Sequence, residues 1–327
     1  MKAAFFKSFG SAKDVIEVGE FATPSPAHGE VLIRMKTSGT NPSDTKKRAG
    51  AFPNLLDAGA VIPNSDGAGV IEAVGAGVPK SRVGQRVWVY QAQYGRLHGT
   101  AAQYLAIDAR RAVKLPDNTS FEIGACLGIP VMTSHRCVFA DGPVTGQVIL
   151  VTGGAGRVGY YAIQFAKLGG ATVIATASCA ADRQDCLDAG ADHVVNHRDP
   201  NWPKLVLQCT DGRKLDRVVE VDFGANLMPV LEIIRIGGVI ATYSSSVAEP
   251  SLAFRRMMFM DLTLRMVIVY AMPESAKEQA IQDINQHLTN QTLQHRIGAT
   301  YPLERFADSN EAIETGSVRG CVVVHID

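Results

Sequence analysis

The stretch VILVTGGAGRVGYYAIQFAKLGG, residues 148–170, decides the fold. Val148, Ile149, Leu150 and Val151 form an apolar, largely β-branched run suited to a strand buried on both faces. A tight glycine turn follows, Gly153-Gly154-Ala155-Gly156-Arg157-Val158-Gly159, and Val158, Ala162, Phe165, Ala166 and Gly169 then recur at helical spacing. Gly154, Gly156 and Gly159 fit G-x-G-x-x-G between a strand and a helix. In that pattern the first glycine permits a sharp turn, the second lets backbone approach a pyrophosphate, and the third lets helix pack on strand. Phosphates would then sit on N–H groups at the helix N-terminus, where the dipole favours negative charge. Glycines also collect in turns for purely structural reasons. The weight of the reading therefore lies on the flanking elements and on the second half that follows.

Downstream, strands and helices alternate. Strands are expected at Thr172–Ala177, His193–Asn196, Arg217–Val221, Val239–Tyr243 and Leu262–Tyr270. Helices are expected at Ala180–Ala189, 200–209, Asn226–Ile234 and Glu274–Asn290. Such alternation implies a parallel sheet wound with helices on both faces. The tail reads as a strand at Tyr301, a helix across Phe306–Glu314 and a last strand Val322–Ile326.

Upstream the grammar is different. Met1–Phe5 and Val15–Val18 read as a hairpin with its turn near Ser8-Phe9-Gly10, followed by the Pro-rich FATPSPAHGE and a strand at Val31–Met35. Ala68–Val74, Gln85–Tyr90 and Ala102–Ile107 are short strands broken by Gly and Pro, the spacing of a partly barrel-like β domain. A short basic helix is expected after Pro42 and Ser43, with Lys46, Lys47 and Arg48 solvated. A helix starts near Phe121 behind a cap at Thr119 or Ser120, with Glu122 nearby.

The chain has 327 residues, enough for two domains, with 46% hydrophobic and 20% charged residues. Lys+Arg and Asp+Glu balance at 32 each, so no basic bias points to nucleic acid or an anionic membrane surface. No apolar stretch approaches the about 18 residues of a membrane span, and the N-terminus lacks a signal-type apolar core. The six cysteines show no C-x-x-C, as expected of reduced thiols in a cytoplasmic protein.

Five segments in register resemble the medium-chain dehydrogenase/reductase superfamily and, within it, the zinc-free, zeta-crystallin-like quinone oxidoreductase group. They are GTNPSDTKKRAG (39–50), IPNSDGAGVIEAVGAGV (62–78), GIPVMTSHR (128–136), LVTGGAGRVG followed by AIQFAK (150–167), and AGADHVVNHR (189–198). The resemblance implies an α/β chain with a GroES-like β-rich catalytic domain from residues 1–121 and 292–327. A doubly wound Rossmann domain would span 122–291, with the cofactor in the cleft between the two. It also implies a homodimer through the Rossmann edge strand near Thr263–Tyr270, since an exposed apolar edge needs a cover.

Zinc-dependent members of the superfamily hold their metal through a Cys in the first loop, a His-Glu pair in the second and a Cys before the Rossmann domain. The matching residues here are Asn41, Ser65-Asp66 and Ile129, and 91–99 contains none of the cysteines of the structural zinc lobe. An amide, a hydroxyl and a hydrocarbon do not replace thiolate and imidazole. No metal is therefore expected, and the eight histidines show no ligand spacing.

The second Rossmann strand ends Thr176-Ala177-Ser178-Cys179 without the acid that would accept from ribose hydroxyls, which leaves room for a 2′-phosphate and implies NADPH (NADP). The lysine that many relatives place there is Asp182, so Ser178, Arg183 and His197 are expected to take the phosphate, with Arg319 at the phosphate-proximal C-terminal stretch. Gly154 through Gly159, including Ala155, Arg157 and Val158, would cradle the pyrophosphate. Val221, Tyr243, Ser244 and Ser245 would border the cofactor at the carboxyl edge. Without metal or flavin motif the remaining chemistry is hydride transfer to an acceptor that is already electrophilic, a quinone or alternatively an enone or alkenal. Asn41 and Thr133 are the positioning candidates, both also cofactor contacts. Asp44 and Asp66 are expected to brace loops, and no general acid is apparent. A non-catalytic NADPH-binding protein is the reading from outside the enzymes.

Overall fold

The structure is a computed structural model that describes residues 1–326. It divides into two compact units, residues 1–129 with 281–327 and residues 130–280.

The first unit opens with β1 (Lys2–Phe6), a helical turn α1 (Ala12–Val15) and β2 (Ile16–Glu20), and β1 and β2 pair antiparallel. This is the expected hairpin, with the turn lengthened by α1. The long strand β3 (Glu30–Thr40) runs into α2 (Pro42–Arg48), which has Pro42 at its first position, where the missing N–H costs nothing. Then come β4 (Asp66–Val74), β5 (Arg86–Val89), β6 (Tyr104–Asp108) and β7 (Ala112–Lys114). A core of Ile33, Met35, Ile71, Val87, Leu105 and Phe306 lies behind them, all nearly solvent-free.

Ser120 Oγ accepts from Ile123 N and starts α3 (Phe121–Gly124), as its position in the sequence suggests. The helix that starts there is a single turn. Pro130 lacks an N–H, and the chain passes through one π turn, Leu127–Val131, before α4 (Met132–Phe139).

The second unit alternates β8 (Val148–Val151), α5 (Arg157–Leu168), β9 (Thr172–Thr176), α6 (Ala180–Asp188), β10 (His193–Val195), α7 (Trp202–Gln208), β11 (Leu215–Glu220), α8 (Phe223–Ile233), β12 (Ile234–Thr242), α9 (Phe254–Phe259) and β13 (Thr263–Met266). All six strands are parallel in the order β10-β9-β8-β11-β12-β13, a doubly wound Rossmann sheet. The order reverses beside β8, so the carboxyl end of β8 is the topological switch point where such sheets bind ligands. Two expectations need correction. The strand expected to run from Leu262 to Tyr270 stops at Met266, because its partner β12 ends at Thr242. Val267 N makes a last bond to Thr242 O, and Val269–Ala271 then coils into a 3₁₀ turn. In addition, α9 was not anticipated; its apolar residues are largely exposed, so no buried stripe marks it in the sequence.

After α10 (Glu274–Thr289), β14 (Ile297–Pro302), α11 (Phe306–Glu314) and β15 (Cys321–His325) complete the first unit. The sheet order there is β14-β15-β3-β4-β5-β7, with β6 also pairing β3, so strands from both ends of the chain share one GroES-like sheet.

Candidate functional site

In the second unit the glycine turn joins β8 to α5. The residue with left-handed backbone is Gly153, at φ +60, so the sharp turn falls one residue earlier than the motif suggests. Gly154 instead provides close packing: a Cβ there would stand 2.8 Å from both Ala175 Cβ and Cys186 Sγ. A Cβ on Gly159 would stand 2.4 Å from Gly153 O and 2.9 Å from Gly154 Cα, which binds the first turn of α5 against the loop. Gly156 is the N-cap, exposed and without a side chain to occupy the helix N-terminus, and Ala155, Arg157 and Val158 flank it. This turn presents backbone and dipole to an anion. Ser134 Oγ in α4 donates to Val158 O at 2.7 Å, which ties α4, with buried Thr133 in its first turn, to the start of α5.

Beside the turn, a shallow cavity of about 210 Å³ lies beyond the end of β9. Ala177, Ser178, Cys179, Arg183, Val194 and Asn196 line it, so Ser178 and Arg183 are brought together. The Arg183 guanidinium also donates to Val194 O, which fixes its stem across α6 and β10. Cys179 caps α6, its Sγ accepting from Asp182 N. His197 lies just past the lining residues, and burial with neighbouring Arg198 holds its pKa below the ordinary histidine value.

On the other side of β8, Glu220 ends β11 and is 1% exposed. Its Oε1 accepts from Thr152 Oγ1 at 2.9 Å, Asp222 N at 2.6 Å and Asn226 Nδ2 at 2.8 Å. Thr152 Oγ1 in turn accepts from Val221 N at 2.9 Å. This network locks the residue before the glycine turn to the neighbouring strand end. Burial raises the Glu220 pKa above that of an ordinary glutamate. The partnership of Glu220 with Thr152 and Asn226 is not legible in the sequence, since its bonds cross 68 and 6 residues and leave no periodic trace. Tyr243 follows β12 and bonds Glu220 O through its backbone N, while Phe223 N bonds Ser244 O. Ser245 Oγ donates to Val247 O and accepts from Gly224 N, so its hydroxyl shapes the loop.

Asn41 and Arg319 belong to the first unit, and Arg319 is exposed in the loop before β15. Asn41 is the N-cap of α2 and 4% exposed. Its backbone N donates to Asp44 Oδ2 at 2.9 Å and its Nδ2 to Asp66 Oδ2 at 2.9 Å. Asp66 Oδ2 also accepts from Ile129 N at 2.7 Å. Both carboxyls brace the loop as expected, but they do so without solvent, and burial pushes the Asp44 pKa up to about 6. The expectation of a solvated basic run fails for two of its three residues. Lys46 is exposed, whereas Lys47 is 6% and Arg48 2% exposed. The 3.6-residue period puts positions 44, 45, 47 and 48 on the inward face, and partners offset the burial. Lys47 Nζ donates to Gln93 Oε1 at 2.8 Å and Gln93 O at 3.1 Å, and Arg48 donates to Gly10 O and the Glu314 carboxylate.

At the positions of the superfamily's zinc ligands stand Asn41, Ser65, Asp66 and Ile129. Among the described residues no three His, Cys, Asp or Glu cluster as a metal would need. Asp66 is already engaged by an amide and a backbone N–H. These donors do not fit zinc. Nor is any helix among the described residues long and apolar enough to cross a membrane.

A GroES-like sheet unit and a parallel Rossmann unit with a glycine turn at its switch point define the medium-chain dehydrogenase/reductase architecture. Family models agree with that division: "Alcohol dehydrogenase GroES-like domain" matches residues 27–117 and "Zinc-binding dehydrogenase" matches residues 158–286. The quinone oxidoreductase of Pongo abelii is 30% identical over 97% of this chain and 95% of its own length. Among solved structures, a mycobacterial protein complexed with NADPH superposes with a TM-score of 0.88 at 26% identity, covering 99% of this chain and 100% of that one. An NAD-dependent alcohol dehydrogenase superposes with a TM-score of 0.87 at 26% identity, covering both chains fully. The chain belongs to the quinone oxidoreductase family of the medium-chain dehydrogenase/reductase superfamily.

Proposed function

We propose that this chain is a zinc-independent NADPH:quinone oxidoreductase. The observation that carries the reading is the glycine turn at the switch point of the Rossmann sheet, followed by a second strand that ends without an acid beside Ser178 and Arg183. A carboxylate at that strand end would bind the two ribose hydroxyls of NADH and repel a 2′-phosphate; a hydroxyl and a guanidinium favour the phosphate.

Bound NADPH supplies a hydride equivalent. The turn from Gly154 to Gly159, with Ala155, Arg157 and Val158, holds the pyrophosphate, and Ser178, Arg183 and His197 hold the 2′-phosphate end. Arg319 adds a cation at the phosphate. Val221, Tyr243, Ser244 and Ser245 border the nicotinamide half, and Thr133 orients the nicotinamide carboxamide or ribose. Asn41 donates through its amide to the carbonyl oxygen of the acceptor, which takes its proton from solvent. Substrate binding is assigned to residues 1–121 with 292–327 and dinucleotide binding to 122–291.

We also assign a homodimer. β13 is one of the two edges of the six-stranded sheet. Around it Phe254, Met258, Phe259, Met266 and Ile268 are all more than half exposed, an apolar patch that a second copy would cover. We assign a cytoplasmic location with it, on six free cysteines of the kind a reducing compartment keeps.

The test is nicotinamide fluorescence on titrating the protein with NADPH and NADH separately, then adding a small ortho-quinone or a short enal. Tighter binding of NADPH and its oxidation by the quinone are expected. Consumption of the enal alone would install a C=C reductase instead. Binding without consumption of either acceptor would favour a non-catalytic binding protein.

A further inference from the structure

The Asn41 amide nitrogen carries two hydrogens; one goes to Asp66, and the side chain also lies against the Asp44 carboxyl, its partner in the capping box of α2. Asp66, the first residue of β4, is wholly buried and takes that hydrogen on Oδ2, the same oxygen that accepts from Ile129 N. Its other oxygen, Oδ1, has no hydrogen-bond partner and is pressed against Gly128, where a Cβ would stand 2.0 Å from it. With two donors on one side and the Gly128 backbone on the other, the carboxyl cannot turn. A carboxyl oxygen facing Asn41 selects the amide nitrogen over its oxygen, so the second N–H of Nδ2 has a fixed direction.

We propose that Asp66 is a positioning residue for quinone reduction: it fixes the Asn41 amide as a hydrogen-bond donor to the acceptor's carbonyl oxygen, and it does so productively while its own carboxyl is neutral. The inference rests on the reading of Asn41 as the amide that meets the acceptor.

The charge count supports the neutral form. Two wholly buried carboxyls, Asp44 from α2 and Asp66 from β4, share a cluster with one buried ammonium, Lys47 from α2. That ammonium is bonded to Gln93, and neither donor on Asp66 is charged. The Cys321 thiol faces Asp66 from β15, and Thr100 Oγ1 donates to the Asp66 backbone carbonyl. Burial, then the neighbouring Asp44, push the Asp66 pKa well above the ordinary carboxyl value, partly offset by the two donors. Because Oδ2 receives two N–H groups, the proton of the neutral form sits on Oδ1. As the reaction proposed above reduces the acceptor, negative charge develops on its oxygen before a proton arrives from solvent. An ionised Asp66 behind Asn41 would oppose that charge, and a neutral one does not.

The experiment compares Asn41→Ala, Asp66→Ala, Asp66→Asn and the Asn41→Ala/Asp66→Ala double variant. Each is assayed for kcat/KM with an ortho-quinone across pH and for NADPH affinity by fluorescence. Asp66→Ala is expected to lower kcat/KM on the order of tenfold or more, as a misaligned positioning group does, with NADPH affinity retained. The double variant should be no worse than the more impaired single one, since both changes remove one device. Asp66→Asn keeps an oxygen for both donors and has no proton to lose. It should therefore recover most of the rate, and the alkaline fall in kcat/KM that the proposal expects of the wild type should be absent from it. Additive losses in the double variant, or an alkaline limb that survives Asp66→Asn, would overturn the proposal. The Asp66→Asn profile decides the question even if Asp66→Ala fails to fold. Full activity in Asn41→Ala would instead sink the reading of Asn41 itself, whereas an impaired Asn41→Ala beside a normal Asp66→Ala would sink the role of Asp66 alone.

Discussion

Replacing Gly159 by alanine tests the glycine turn most sharply. The added Cβ would lie 2.4 Å from Gly153 O, and Cβ contacts below 3.0 Å essentially never occur, so the carbonyl must retreat by at least 0.6 Å. It has little freedom to do so. Gly153 O accepts from Gly156 N, and Gly153 N is bonded to Thr176 Oγ1. Overpacking against backbone costs about 1–3 kcal/mol, which corresponds to a fall in melting temperature of roughly 3–10 °C for a unit of this size. NADPH affinity should fall with it, because the N–H groups of the turn move with the carbonyl. Gly156→Ala is the control, since its Cβ meets nothing closer than Gly153 O at 3.1 Å. It should leave the melting temperature within about 2 °C and still weaken NADPH by filling the space a pyrophosphate needs. Thermal melts and fluorescence titrations of both variants read the two effects separately. A Gly159→Ala protein that melts and binds NADPH like the wild type would refute the reasoning.

Asp44 has its pKa raised in the folded state to about 6, so the stability tied to its proton is present at low pH and lost as pH rises through that value. The melting temperature of Asp44→Asn relative to wild type should therefore climb between pH 4 and 7, by the equivalent of up to about 3 kcal/mol; a constant difference would exclude the effect. His295 has the opposite sign. Burial lowers its pKa to about 4, so stability is lost as pH falls from the unfolded value toward 4, and His295→Gln should flatten that acid limb in a melting series. Asp141 accepts from Arg217 at 2.9 Å and also binds Arg265, and Arg217 is 2% exposed. Asp141→Ala leaves that guanidinium buried without its carboxylate and should cost about 3–5 kcal/mol, readable by denaturant titration. Changing Phe259, 79% exposed on α9, to aspartate should shift the protein to monomer in sedimentation if β13 and α9 form the dimer face.

Much of the fold is legible in the sequence because its signals are local. The β-branched run before a glycine turn, the helix period after it and the repeated strand–helix alternation each sit within a few residues of what they specify. Gly159 is readable for the same reason, since its missing side chain encodes a backbone contact. The left-handed turn at Gly153 was harder to assign, because four glycines in seven residues offer several places to bend. Lys47 and Arg48 were misjudged because a charge reads as solvent until its partner is known. Gln93 and Glu314, which satisfy them, lie 46 and 266 residues away. The Glu220–Thr152 link and the Asp66 clamp on Asn41 are of the same kind, long-range bonds between single polar atoms that leave no period. Met266 ends its strand because β12 has already ended, a fact of the neighbour and not of the segment itself.

The most direct single measurement is the oxidation of NADPH by an ortho-quinone, followed by its loss of nicotinamide fluorescence, with protein dialysed against a strong chelator. Undiminished turnover that NADH supports more poorly is the predicted result. Activity that disappears on chelation and returns with zinc, or that is absent with every quinone while NADPH still binds, would contradict it.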